Sequence, residues 1–163
     1  MICADACTVI LLAKASVLEV ALHAFKIVLT KEVYEEVIAG KKMMFQDALL
    51  LERLHHEQKI IIIPTPEILQ HKLEIDFNMG RGEASVISVG IADKEIVIAT
   101  DNRQGRKSAQ INNLSLVGSI EIIVSLYQQK KISEDKAKES LRIVEREGWF
   151  SPYLIEKAKE DLR

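Results

Sequence analysis

The sequence predicts an α/β domain built on a mainly parallel sheet, and three observations predict it. Short runs of β-branched residues alternate with helical stretches along most of the chain, the pattern of successive βαβ units. Two of those runs, Met1-Ile2-Cys3-Ala4 and Ile96-Val97-Ile98-Ala99, are apolar throughout, as strands buried on both faces require. Both lead into acids: Asp5 follows the first run, and Thr100-Asp101-Asn102 follow the second. Ligands of open parallel sheets bind outside the carboxyl ends of the strands.

In chain order, residues 1–4 make the first strand and Asp5 stops it. Residues 8–24 are helical in pattern, as one helix or two short ones, with Leu11, Leu12, Ala15 and either Leu18 or Val20 inward. Residues 26–29 read as a strand, Thr30 as the cap of a helix over 31–39, and Gly40 as its end. A long helix is expected over 43–58, with Leu49, Leu50 and Leu54 facing the core. Residues 60–63 form a strand that Pro64-Thr65-Pro66 stops. Residues 67–75 read as a helix and 76–82, with Asn78, Gly80 and Gly82, as a loop. A helix over 83–92 leads into the strand at 96, and a basic helix over 102–110 follows it. Residues 114–117 are the last strand, and Gly118 precedes a helix to 129. Ser133 caps a charged amphipathic helix. Gly148-Trp149-Phe150-Ser151-Pro152 breaks it, and 153–162 form a final helix. Nothing marks a repeat or a linker. The expectation is one domain over 1–163, with a core of about 1–130 and a C-terminal helical extension of about 131–163.

Composition narrows the function. A chain of 163 residues, 48 % apolar and 28 % charged, suits a soluble globular domain with a real core. A net charge of −2 excludes a generally basic coat, so any nucleic-acid contact must be local. Aromatic residues at 5 % argue against a base-stacking platform. The first strand begins at Met1, which leaves no room for a signal peptide, and no apolar run is long enough to span a bilayer. Cys3 and Cys7 read as buried thiols in a reduced, cytoplasmic setting.

Four acids stand out. If the strands before Asp5 and Asp101 are parallel neighbours, the two carboxylates share one crevice and repel unless a cation joins them. Glu83 shares a helical stripe with Val86, Ile87 and Gly90, and Glu36 lies beside Val33, Val37 and Gly40. An acid on an apolar stripe costs free energy unless it is paired or coordinates a metal. Singly, Glu83 reads equally well as complementing a helix dipole, and Glu36 as a salt bridge at the rim. Together the four suit a hard divalent ion, which prefers carboxylate oxygens to His or Cys. Such an ion acidifies water and offsets charge on phosphoryl oxygens. Arg103, Arg106 and Lys107, and with less weight Lys14, either hold neighbouring phosphates or form a solvated face.

Other chemistries fall away. His55, His56 and His71 lack metal-ligand spacing and read as surface residues. There is no Walker loop, dinucleotide fingerprint or nucleophile elbow. A phosphatase-like use of Asp5 as covalent nucleophile lacks the second Asp two residues on, where Cys7 stands.

The ordered segments Asp5-Ala6-Cys7-Thr8, Val33-Tyr34-Glu35-Glu36-Val37, Gly82-Glu83-Ala84-Ser85 and Thr100-Asp101-Asn102-Arg103 resemble the motifs of PIN-domain proteins. Gly148-Trp149-Phe150-Ser151-Pro152 resembles the C-terminal signature of a prokaryotic branch of that family. The resemblance implies a three-layer α/β/α fold and hydrolysis of RNA phosphodiesters with Mg²⁺ or Mn²⁺ held by Asp5, Glu36, Glu83 and Asp101. Often it implies the toxin of a toxin–antitoxin pair, so RNA and an antitoxin are the implied partners. Two positions depart from the family pattern. Cys7 stands where Ser or Thr is usual, although Thr8 follows, and Asn102 stands where many relatives have a second Asp. Thr8 and Asn102 are then candidates for the metal shell, Asn102 through a carbonyl oxygen of lower charge. The rival reading is a catalytically inactive PIN-fold module that binds RNA or protein. Ala48-Leu49-Leu50 and residues 120–126 carry more apolar residues than one small core needs. With the resemblance, they lead to the expectation of a homodimer.

Overall fold

The computed structural model describes residues 1–43 and 45–162. Met44, inside the helix expected over 43–58, and Arg163, the last residue of the expected domain, lie outside the described residues. The chain runs β1 (Ile2–Ala4), α1 (Ala6–Lys14), α2 (Leu18–Ala24), β2 (Ile27–Thr30), α3 (Lys31–Ala39). After a 3-10 turn over Gly40–Met43 come α4 (Gln46–His56), β3 (Ile61–Ile63), α5 (Glu67–Phe77) and α6 (Arg81–Ala92). Then follow β4 (Val97–Ala99), α7 (Arg103–Ile111), β5 (Leu116–Val117), α8 (Ser119–Gln128), α9 (Glu134–Glu147) and α10 (Pro152–Glu160).

Among the described residues five strands form one sheet in the order β3-β2-β1-β4-β5, and every pairing is parallel. From β1 the chain steps outward to β2 and β3, then returns to β4 on the other side of β1 and ends at β5. Because parallel crossovers are right-handed, opposite directions of travel place helices on opposite faces. The result is the expected three-layer α/β/α arrangement. Strand order reverses between β1 and β4, which pair Ile2 with Val97 and Ala4 with Ala99. The residues that follow, Asp5 and Thr100-Asp101, therefore open into the crevice at that switch point.

Local sequence explains most element ends. The Thr30 side chain accepts a hydrogen bond from the Val33 N–H and caps α3. Ser133 caps α9 through the Lys136 N–H. Ser151 caps α10, with Pro152 in its first turn. The core is aliphatic: Leu12, Leu29, Ile87, Ile98 and Ile123 are fully buried.

Four sequence expectations need correction. Helix α4 starts at Gln46 and buries Ala48, Leu51 and Leu54, so its inner face is turned from the Leu49-Leu50 stripe. The loop expected over 76–82 shrinks to Asn78-Met79-Gly80, because Gly82 is already inside α6. His55 is half-buried, not a surface residue: its ring lies 4.6 Å from that of Tyr34. Cys3 is buried as expected, but Cys7 is exposed.

The C-terminal helices account for much apolar surface. Helix α9 packs on α1 and α8, and α10 packs on α8 and α9. Ile120, Ile122, Ile123, Val124 and Leu126 are all buried. The residues of 120–126 that motivate a homodimer are thus covered within one chain.

Candidate metal centre at the carboxyl end of the sheet

Asp5 leaves β1 and at once caps α1, its Oδ1 accepting from the Thr8 N–H at 2.8 Å. It is only 4 % exposed. Asp101 leaves the β4 segment and meets the start of α8, where both its oxygens lie 3.0 Å from the Ser119 N–H. Each acid thus sits at a helix N-terminus, where amide dipoles favour a negative charge. Thr8 joins them: its backbone N–H binds Asp5, and its hydroxyl donates to Asp101 Oδ2 at 2.9 Å.

Glu36 and Glu83 approach from α3 and α6. Glu36 Oε2 lies over Gly82, where a Cβ would collide with it. Glu83 Oε1 faces Gly105, beside Thr100, and a Cβ there would stand 2.9 Å from it. Gly118 gives way to Asp101 in the same manner, since a Cβ would come 2.5 Å from Oδ1. Three glycines, in α6, in α7 and just before α8, therefore leave room for three carboxylates.

The four acids share one electrostatic field. Burial raises the pKa of Asp5 first of all; bonds from Thr100 and Thr8 oppose it, and the Glu36 charge adds to it. Burial raises Glu83, with the charges of Asp5 and Glu36 in support. Asp101 is pushed up to about 6 by burial, with Asp5 adding and the Ser119 and Thr8 bonds opposing. Glu36 is the most open of the four, and burial alone raises it. The Cys7 thiol is pushed up to about 12 by partial burial and by Asp5, Asp101 and Glu36. No Lys or Arg among the described residues pairs with any of the four acids. Glu83 Oε1 is buried and makes no hydrogen bond; the Gly105 and Gly80 amides oppose its raised pKa without closing a bond on that oxygen.

No three His, Cys, Asp or Glu side chains among the described residues stand close enough to form a ready cage for an ion. The donor set nevertheless suits a hard divalent cation. It is all carboxylate oxygen, and among the described residues it lacks a protein cation and one buried oxygen has no partner.

The other candidate residues divide into two groups. Arg106 donates to the Thr100 carbonyl at 3.1 Å and pairs with Glu121 at 3.6 Å, so its guanidinium already braces α8 against β4. Lys14 pairs with Glu147 at 3.0 Å. Asn102 Oδ1 caps α7 by accepting from the Gln104 and Gly105 N–H groups, which turns the expected metal-shell oxygen to another use. Arg103 and Lys107 stay exposed and line an open hollow beside Asp101. Sequence reasoning passed over Thr100, Ser119, Gly105 and Gly118. The usable signal was glycine preceding each helix start or lying in its first turn, close to an acid.

A family model described as PIN domain matches residues 1–162. No curated protein and no solved structure matches the chain significantly. The model's span, the parallel sheet and the acids at its switch point agree: the chain belongs to the PIN-domain family, whose members are generally nucleases.

Proposed function

We propose that this chain is a metal-dependent ribonuclease that hydrolyses RNA phosphodiester bonds. The observation that carries the reading is the group of four acids with raised pKa values, none paired with a cation among the described residues, at the switch point between β1 and β4. Buried charges persist only where something compensates them. Here Asp5, Glu36, Glu83 and Asp101 would hold Mg²⁺ or Mn²⁺. When bound, such an ion supplies acidified water and offsets charge on the phosphoryl group.

The protein's own part is positioning. The helix N-termini and Thr8 fix Asp5 and Asp101, so these two acids need little reorganisation. Glu36 and Glu83 reach in on longer side chains, and Glu83 Oε1 is the buried oxygen left open. Exposed Arg103 and Lys107 offer charge to phosphates on either side of the cut.

The test is cleavage of a broad pool of single-stranded RNA sequences. Cutting in Mn²⁺, none in EDTA, and none by Asp101→Asn is the expected result. RNA binding that survives Asp101→Asn, with no cutting by wild type in any metal, would instead favour the inactive binding module. The family resemblance supports a narrower reading, a toxin restrained by an antitoxin. A small neighbouring reading frame whose product binds this chain and stops cutting is its test.

A further inference from the structure

Eight aromatic residues are present in the whole chain, yet three of them gather beside the acids. Phe77, Trp149 and Phe150 line an open hollow of about 1040 Å³ that reaches Asp101. Trp149 and Phe150 also line a second hollow, of about 430 Å³, that again reaches Asp101. The two aromatics thus border both hollows. Arg103 and Lys107 border both hollows.

Trp149 is 102 % exposed, so no side chain among the described residues packs on it. Phe77 and Ile111 in the first hollow are 42 % and 58 % exposed. Apolar area of this size is costly in water unless it serves a partner. The partner's chemistry follows from what surrounds it. The cations call for an anionic chain, and the bare indole face calls for a flat, weakly polar group. Continuity with Asp101 places both next to the reacting bond.

We propose that Trp149, supported by Phe77 and Phe150, is a stacking subsite for an unpaired nucleobase next to the scissile phosphate, with Arg103 and Lys107 on the flanking phosphates. The inference rests on the ribonuclease reading and deepens it by a base contact: a nucleobase reaches Trp149 only where it is unpaired, because bases in a duplex are stacked on each other and present no free face. It overrides what the low aromatic content suggested, since a platform needs placement and not abundance. Glu147 and Glu121 also border the hollows, but they are paired with Lys14, Arg146 and Arg106, so the exposed cations Arg103 and Lys107 on apolar walls favour this occupant over an apolar peptide.

Trp149 is the only tryptophan, so its fluorescence reports the contact directly. Binding is measured in an Asp5→Asn background, where cutting is off and one repelling charge is gone; Asn is as good an N-cap as Asp. Short single-stranded RNA of mixed sequence should quench Trp149 saturably. An abasic oligonucleotide of equal length should not. Trp149→Ala in the same background, followed by polarisation of labelled RNA, should weaken binding about tenfold. Trp149→Phe should restore most of it, and Ile68→Ala, exposed elsewhere on α5, should change nothing. With Asp5 intact and Mn²⁺ present, Trp149→Ala should raise KM and leave kcat alone. Equal quenching by the abasic strand, or no quenching by any RNA, overturns the inference. So does quenching by a peptide alone. Cutting by Trp149→Ala at the wild-type KM sinks the subsite and leaves the nuclease standing. Quenching by RNA with no cutting in any metal keeps the subsite and sinks the nuclease.

Discussion

Two polar clusters lie at the carboxyl ends of neighbouring strands, and they are built on opposite plans. After β2, Thr30, Ser85 and Ser88 are all 0 % exposed. Ser85 spends its one proton on the Gly82 carbonyl at 2.6 Å, so Thr30 is the donor in the 2.7 Å contact between the two hydroxyls. Thr30 in turn accepts from the Val33 N–H, and Ser88 donates to the Ser85 carbonyl. Every group there is neutral and satisfied. After β1 and β4, Asp5 and Asp101 are ionisable acids of raised pKa, lie near Glu36 and Glu83, and have no Lys or Arg partner among the described residues. The first cluster holds α3 and α6 to the sheet. The second costs stability as it stands, and a cost of that kind is kept where it has a use.

The difference is broken most severely by neutralising one acid. Asp101→Asn should lower RNA cleavage on the order of 10³-fold, as loss of several kcal/mol of charge stabilisation implies. Single-turnover assays in Mn²⁺ check it.

Stability should move in opposite directions in the two clusters. Without metal at pH 7, Asp101→Asn should raise the unfolding free energy by up to about 3 kcal/mol, since a Asp101 pKa near 6 against 3.8 measures the charge's cost. Thr30→Val should lower it by about 1–3 kcal/mol, because the Val33 N–H loses its acceptor and Ser85 Oγ a donor. Urea denaturation of both variants decides it, and equal signs would erase the distinction drawn here.

The same cost has a pH signature. Raised carboxylate pKa values mean that the native state binds more protons than the unfolded chain between about pH 4 and pH 7. Metal-free stability is therefore greatest in acid and falls as pH rises through the Asp101 pKa of about 6. Melting temperatures in EDTA across that range should fall, and saturating Mn²⁺ should flatten the fall.

Two smaller effects sharpen the geometry. Gly118→Ala puts a Cβ 2.5 Å from Asp101 Oδ1 and displaces the carboxylate from Ser119. Cleavage should drop about 10- to 100-fold with little change in melting. Lys107→Ala should reduce the salt slope of RNA binding by about 0.7, one phosphate's worth on a single strand. Arg106→Ala should instead lower stability, since Arg106 is already tied to Thr100 and Glu121.

What was legible in the sequence was local. Apolar runs followed by Asp5 and Asp101 are a property of a few adjacent residues, and so are the caps Thr30 and Ser133. What escaped depended on residues far apart in the chain. Gly82 read as a loop residue because glycine weakens helices, but it lies in α6 to make room for Glu36. Arg106 read as free, for phosphate or for solvent, because Glu121, its partner, sits on another helix. The Leu49-Leu50 stripe misled because α4 buries Ala48, Leu51 and Leu54 instead. Trp149 was read as part of a helix break and of a motif resembling a family signature, not as a contact surface, because solvent exposure cannot be seen in a string of letters.

The central claim is that the acids after β1 and β4 form a divalent-ion site, and calorimetric titration of Mn²⁺ into the metal-free protein at pH 6 tests it most directly. Wild type should bind saturably and release protons, seen as an apparent enthalpy that changes with buffer, because the ion displaces protons held by acids of raised pKa. Asp5→Asn and Asp101→Asn should each lose most of that binding while keeping their fold. Wild-type protein that takes up no Mn²⁺ at millimolar concentration, or binds it no better than Asp5→Asn, would contradict the account.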